Sequence, residues 1–133
     1  MKFTLNIPHD WNYTAADLMN RFADQNKRYI STCNRYFENC LYDRQTEQTF
    51  FYDHIKSENN ADGTLKVTVY LYGIKSIADH TDGSHIYLKL ELDGKIYEVD
   101  NYAGTDGSWK HFKTTADGTD KREKVIKAFY TLY

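Results

Sequence analysis

The chain has 133 residues, 41% of them apolar and 16% aromatic, and 17 Lys and Arg against 19 Asp and Glu leave a net charge of −2. That length suits a single domain that buries a core without a metal or disulfide framework, and that composition excludes a disordered chain. The near-neutral balance makes no whole-chain case for a polyanion partner.

Phe3, Leu5 and Ile7 alternate with Lys2, Thr4 and Asn6, which predicts a half-buried strand ended by Pro8. Thr14-Ala15-Ala16-Asp17 has the spacing of a capping box. Leu18, Phe22, Tyr29, Cys33, Phe37 and Leu41 then recur at three- to four-residue multiples and predict a long helix over 15–42. Polar Gln25 and Asn26 interrupt the stripe, so two helices with a break there are the alternative. On one helix, Cys33 and Cys40 would sit about 10 Å apart, too far for a disulfide, and they read as reduced core thiols.

Phe50 to Ile55 reads as a strand, 57–63 as a polar connection, and Leu65 to Leu71 as a cleanly alternating strand. Gly73 marks a candidate bulge, with the strand continuing to Ile77. From His85 to Leu92, Ile86, Leu88, Leu90 and Leu92 share one face. Asp93-Gly94 suits a two-residue turn with positive φ, which sets a register: Leu92 opposite Lys95, Leu90 opposite Tyr97, Leu88 opposite Val99 and Lys89 opposite Glu98. Four further Asp-Gly pairs, at 62, 82, 106 and 117, punctuate the same half of the chain. Ser108 to Lys113 reads as a shorter strand. Asp120-Lys121-Arg122-Glu123 reads as a second capping box before a helix with a Val125, Ile126, Phe129, Leu132, Tyr133 stripe. The expected fold is α+β: one domain over 1–133, with an antiparallel sheet of about five strands packed against a long N-terminal helix and a C-terminal helix.

Motifs for chemistry are scarce. There is no Ser-centred nucleophile elbow, no phosphate loop, no dinucleotide fingerprint and no paired-histidine zinc motif. Asp79, His80 and His85 form the densest ligand cluster, but their spacing matches neither zinc nor calcium patterns. No cofactor, no metal and no catalytic residue is therefore expected. An enzyme using His85 or His111 as a base, as in a small hydrolase, stays as a lesser alternative.

Two features point to binding. From 79 to 107 there are seven acids and two bases, whereas 108 to 127 holds six bases and three acids. Tyrosine is unusually frequent, at 12 residues. If Val67 and Leu88 face the helices, then Tyr70, Tyr72 and Tyr87 face away, with Lys66 and Lys89 beside them. The pattern leaves open which face Trp109 and His111 take.

The reading is a non-catalytic protein-binding module, with Tyr70, Tyr72, Tyr87, Trp109, Asp79, Asp82, Asp100 and Asp106 as contact candidates. One concrete form is a small inhibitor or adaptor, such as a mobile-element or phage-type protein that occludes a host nuclease. The alternative is a single-stranded nucleic-acid-binding protein that stacks bases on the sheet tyrosines and uses Lys110, Lys113, Arg122 and Lys124. No segment has the roughly 20 apolar residues of a membrane span, and Met1 to Asp10 has no apolar run of signal-peptide length, so a soluble, cytoplasmic protein is the default.

Overall fold

In a computed structural model, the structure describes residues 1–32, 40–102 and 111–132. The elements in chain order are β1 (Lys2–Ile7), α1 (Ala15–Gln25), β2 (Tyr29–Thr32), β3 (Cys40–Asp43), β4 (Gln48–Asn59), β5 (Leu65–Asp82), β6 (His85–Leu92), β7 (Lys95–Tyr102), β8 (His111–Thr114) and α2 (Thr119–Leu132). The fold is α+β with a mostly antiparallel eight-stranded sheet of order β2-β3-β4-β5-β6-β7-β8, and β1 pairs with β5. No helix among the described residues is long and apolar enough to cross a membrane. The chain divides into two compact units, Met1–Gly73 and Ile74–Tyr133, and β5 contributes to both.

The expected long helix is corrected. It ends at Gln25, and two short antiparallel strands follow where the helix was expected to continue. The start is as read: the Thr14 hydroxyl accepts from the Asp17 amide at 3.2 Å, and the Thr14 amide donates to the Asp17 carboxylate at 2.8 Å. At the other end Asn26 is the C-cap: its backbone turns extended, and both its amide and its side-chain amide donate to the Phe22 carbonyl, at 3.0 and 2.9 Å. Beyond it, β-branched and aromatic Tyr29-Ile30 favour extended backbone.

An ion pair then fastens the new turn. Arg28 donates twice to Asp43, at 3.1 and 2.5 Å, and Asp43 also accepts from the Gln45 amide at 3.0 Å and the Thr46 hydroxyl at 2.9 Å. Burial of Asp43 opposes its charge. The hydrogen bonds from Arg28, Thr46 and Gln45 outweigh that cost and hold its carboxyl below the ordinary range. Cys40 is buried on β3, not on a helix, and Cys33 lies outside the described residues.

In the first unit, Phe3, Leu5 and Ile7 of β1 pack with Leu18, Met19 and Ala23 of α1 and with Val67, Val69 and Leu71 of β5. Phe22 stacks on Phe3 at 4.1 Å, and Trp11 and Tyr13 pack against the same cluster. The expected polar connection contributes its first residues to β4, and the turn is confined to the stretch between Asn59 and Leu65. Gly73 lies outside the register shift of the β5–β6 pairing. A Cβ there would lie 2.6 Å from Gln48 Oε1 and 2.8 Å from a Phe50 ring carbon, so glycine serves close approach.

The second unit holds the hairpin that the turn chemistry specifies. Asp93 and Gly94 take φ of 52° and 78°, and every predicted pair of the β6–β7 register is present. The register shift in β5 falls between Ser76 and Ala78, leaving Ile77 as the extra residue. Ile86, Leu88, Leu90, Leu92, Tyr97 and Val99 are buried along with Val125, Ala128 and Phe129 of α2. Phe129 meets Phe112 of β8 edge-on at 5.3 Å, so α2 covers this inner face. The helix begins at Thr119, which places Asp120 inside its first turn. Tyr133 lies outside the described residues, and Leu132 is exposed.

Candidate functional site

The strand registers of the second unit array its outer face in rows. His80 of β5, Tyr87 of β6, Asp100 of β7 and Lys113 of β8 are consecutive cross-strand partners. One row along, Asp82, His85, Tyr102 and His111 are likewise in register. On the other side, Ala78, Lys89 and Glu98 align, and the Glu98 amide donates to the Thr115 hydroxyl at 2.9 Å. Period-two alternation sends these side chains away from α2, because the residues between them (Leu88 and Val99) are buried on the inner side.

The rows carry a chain of ring contacts. The His80 ring lies 6.2 Å from Tyr87, and Tyr87 lies 4.1 Å from His85. His85 meets Tyr102 edge-on at 5.4 Å, and Tyr102 stacks on His111 at 4.2 Å. Nε2 of His85 contacts Oδ1 of Asp100. Lys89 pairs with Glu98 at 3.8 Å. A concavity of about 530 Å³ lies in this face, lined among others by Ala78, His80, Tyr87, Lys89, Asp100 and Lys113. Tyr87 is 44% exposed, and Ile77 and Ile96 are exposed as well.

The structure brings some of the expected contact residues together and separates others. Tyr87, Asp79 and Asp100 line one concavity, and Asp82 stands at the end of the same sheet. Trp109, Asp106 and Lys110 lie outside the described residues. Tyr70 and Tyr72 belong to the first unit and behave differently. Tyr72 is only 6% exposed and stacks on Phe51 at 5.4 Å, so it is a packing residue and not a contact surface. Tyr70 is half-buried under the His54 ring, 4.4 Å away and nearly parallel, with the Lys2 and Lys56 ammonium groups 5.9 and 5.5 Å from its centroid.

The cations proposed for nucleic acid do not share a face. Lys113 lies on the outer side, whereas the Arg122 guanidinium lies over Phe112 on the α2 side. Lys124 is 15% exposed and pairs with Asp120 at 3.4 Å. Among the described residues no three His, Cys, Asp or Glu side chains come close enough to hold a metal, so Asp79, His80 and His85 do not form a ligand set.

Sequence reasoning did not find Tyr102, nor that His80, His85 and His111 belong to one array with Tyr87. The Asp93-Gly94 register, carried outward, already places Tyr87 opposite Asp100 and His85 opposite Tyr102. The β5 partners were hidden by the bulge at Ile77, which changes the face parity of everything after it. No family model matches the chain, and neither a curated protein nor a solved structure matches it.

Proposed function

We propose that this chain is a non-catalytic binding protein that docks another protein through the outer sheet face of its second unit. The observation that carries the reading is the exposed Tyr87 ring, set beside Asp100 with Asp82 one row along, on the outer surface of four strands. Tyrosine supplies a large contact area at low cost in side-chain entropy, and acidic neighbours steer a basic partner. In its concrete form the protein is a small inhibitor or adaptor that covers the basic site of a nucleic-acid-handling enzyme, as a mobile-element or phage-type inhibitor would.

The test is capture of partners from nuclease-treated lysate of the source cell by wild type and by the Asp79→Lys, Asp82→Lys, Asp100→Lys variant. A stoichiometric protein bound by wild type and released by the variant, with weaker binding at high salt, is the expected result. Capture that is indifferent to the charge reversal removes the acidic surface from the account.

A second reading, a small hydrolase, is favoured by one observation. His85 has a carboxylate beside its imidazole and stands next to the concavity, the pairing that a general base requires. Under that reading, hydrolysis of chromogenic esters or phosphoesters disappears in His85→Ala while the fold is retained. No turnover by wild type across such a panel retires it.

A further inference from the structure

We infer that the concavity in the second unit is also a small-molecule site, for a planar aromatic compound bearing one carboxylate. This does not rest on the docking reading, because it concerns the isolated chain. Its volume of about 530 Å³ falls in the range of small-molecule sites, roughly 300–1,000 Å³. The Tyr87 ring is 44% exposed even with His85 at 4.1 Å and His80 at 6.2 Å, and a flat ring can lie offset against its exposed part.

The charge preference follows from which groups are already engaged. Lys89 is held by Glu98 at 3.8 Å, and Asp100 is in contact with His85. Among the described residues, Lys113 has no ion-pair partner, and it is exposed. An anionic ligand therefore meets a cation without breaking an existing pair. Asp79 lies opposite inner-facing Leu88, so a cationic ligand on the outer side would meet Glu98 and Asp100, which Lys89 and His85 already engage. Tyr87 and Lys113 are separated by one strand, a span of roughly 10 Å, less the reach of the flexible lysine stem. A two-ring aromatic carboxylate bridges that distance with its ring on Tyr87 and its carboxylate toward the Lys113 ammonium.

The test uses the full chain, with naphthoate and its neutral analogue naphthylmethanol as probes, read by amide proton–nitrogen spectra. Expected are saturable shifts at Tyr87, Asp100, Lys113 and Thr114 on adding naphthoate, with a Kd at or below about 1 mM, and affinity for the neutral probe about tenfold lower. Lys113→Ala should bring the two probes to equal, weak affinity, and Tyr87→Ala should weaken both. Both side chains are exposed, so an unchanged spectrum of each free variant establishes that its fold is intact. Equal affinity of the two probes for wild type, shifts centred elsewhere, or no saturation would overturn the proposal.

Discussion

The tyrosines of the first unit and Tyr87 of the second begin from the same local pattern and end differently. Tyr70 and Tyr87 sit between buried aliphatic neighbours along their strands, and Tyr72 follows buried Leu71. In the first unit the surroundings close over the rings. Phe51 stacks on Tyr72, and His54, Lys2 and Lys56 gather on Tyr70. In the second unit Tyr87 contacts His80 in its own row and His85 in the next, and it stays exposed beside the concavity. Alternation therefore tells which side a ring takes. Only the neighbouring strands decide whether that side is a surface, and a binding role belongs to the ring that is left open.

The comparison is sharpest in the cost of deleting each ring. Tyr72→Ala should destabilise the chain by about 3–4 kcal/mol, as expected for a buried aromatic in a packed site. Chemical denaturation measures it, and a loss below about 1 kcal/mol would put Tyr72 on the surface after all.

The next effect is Asp43→Ala, which removes the centre of the β3–β4 turn. The expected loss is about 2–3 kcal/mol, below the roughly 3–5 kcal/mol of a fully buried pair because Arg28 is half open to water. Its pH dependence has a definite sign. The folded carboxyl is held below its unfolded value, so its contribution is complete above the unfolded value of about 3.9 and is lost as pH falls through the lower folded one. The stability gap between wild type and variant should therefore close in acid. A gap that widens in acid would show that Asp43 is buried without effective partners.

Gly73→Ala should cost about 1–3 kcal/mol, since its Cβ would press on the Phe50 ring. The double variant Gly73→Ala, Phe50→Leu should lose less than the sum of its parts. Additive losses in a double-mutant cycle would dissociate the glycine from that contact.

The smallest effect falls in the second unit, where Tyr87→Ala should change stability by less than about 1 kcal/mol. A large loss would make Tyr87 a structural residue and dissolve the contrast with Tyr72.

Much of this architecture was legible in the residues themselves. Strand β1, the α1 capping box and the whole β6–β7 register follow from patterns that are local, where period and turn chemistry agree. The stretch after Asn26 was misread because Leu18, Phe22, Tyr29 and Leu41 happen to match a helical repeat. What decides it is a tertiary tie, Arg28 to Asp43, that no local window contains. The site was half legible. Tyr87, Asp79 and Asp100 were named, but their assembly with His80, Tyr102 and Lys113 depends on pairing β5 and β8 to the hairpin. A one-residue bulge and a segment outside the described residues separate those strands from any simple register.

The central claim is that the open face of the second unit, and not the covered tyrosines of the first, meets a partner. Parallel capture from nuclease-treated lysate with wild type, Tyr87→Ala and Tyr70→Ala tests it most directly. The account predicts one stoichiometric protein held by wild type and Tyr70→Ala and lost by Tyr87→Ala. Retention by Tyr87→Ala with loss by Tyr70→Ala would contradict it and move the binding surface to the first unit.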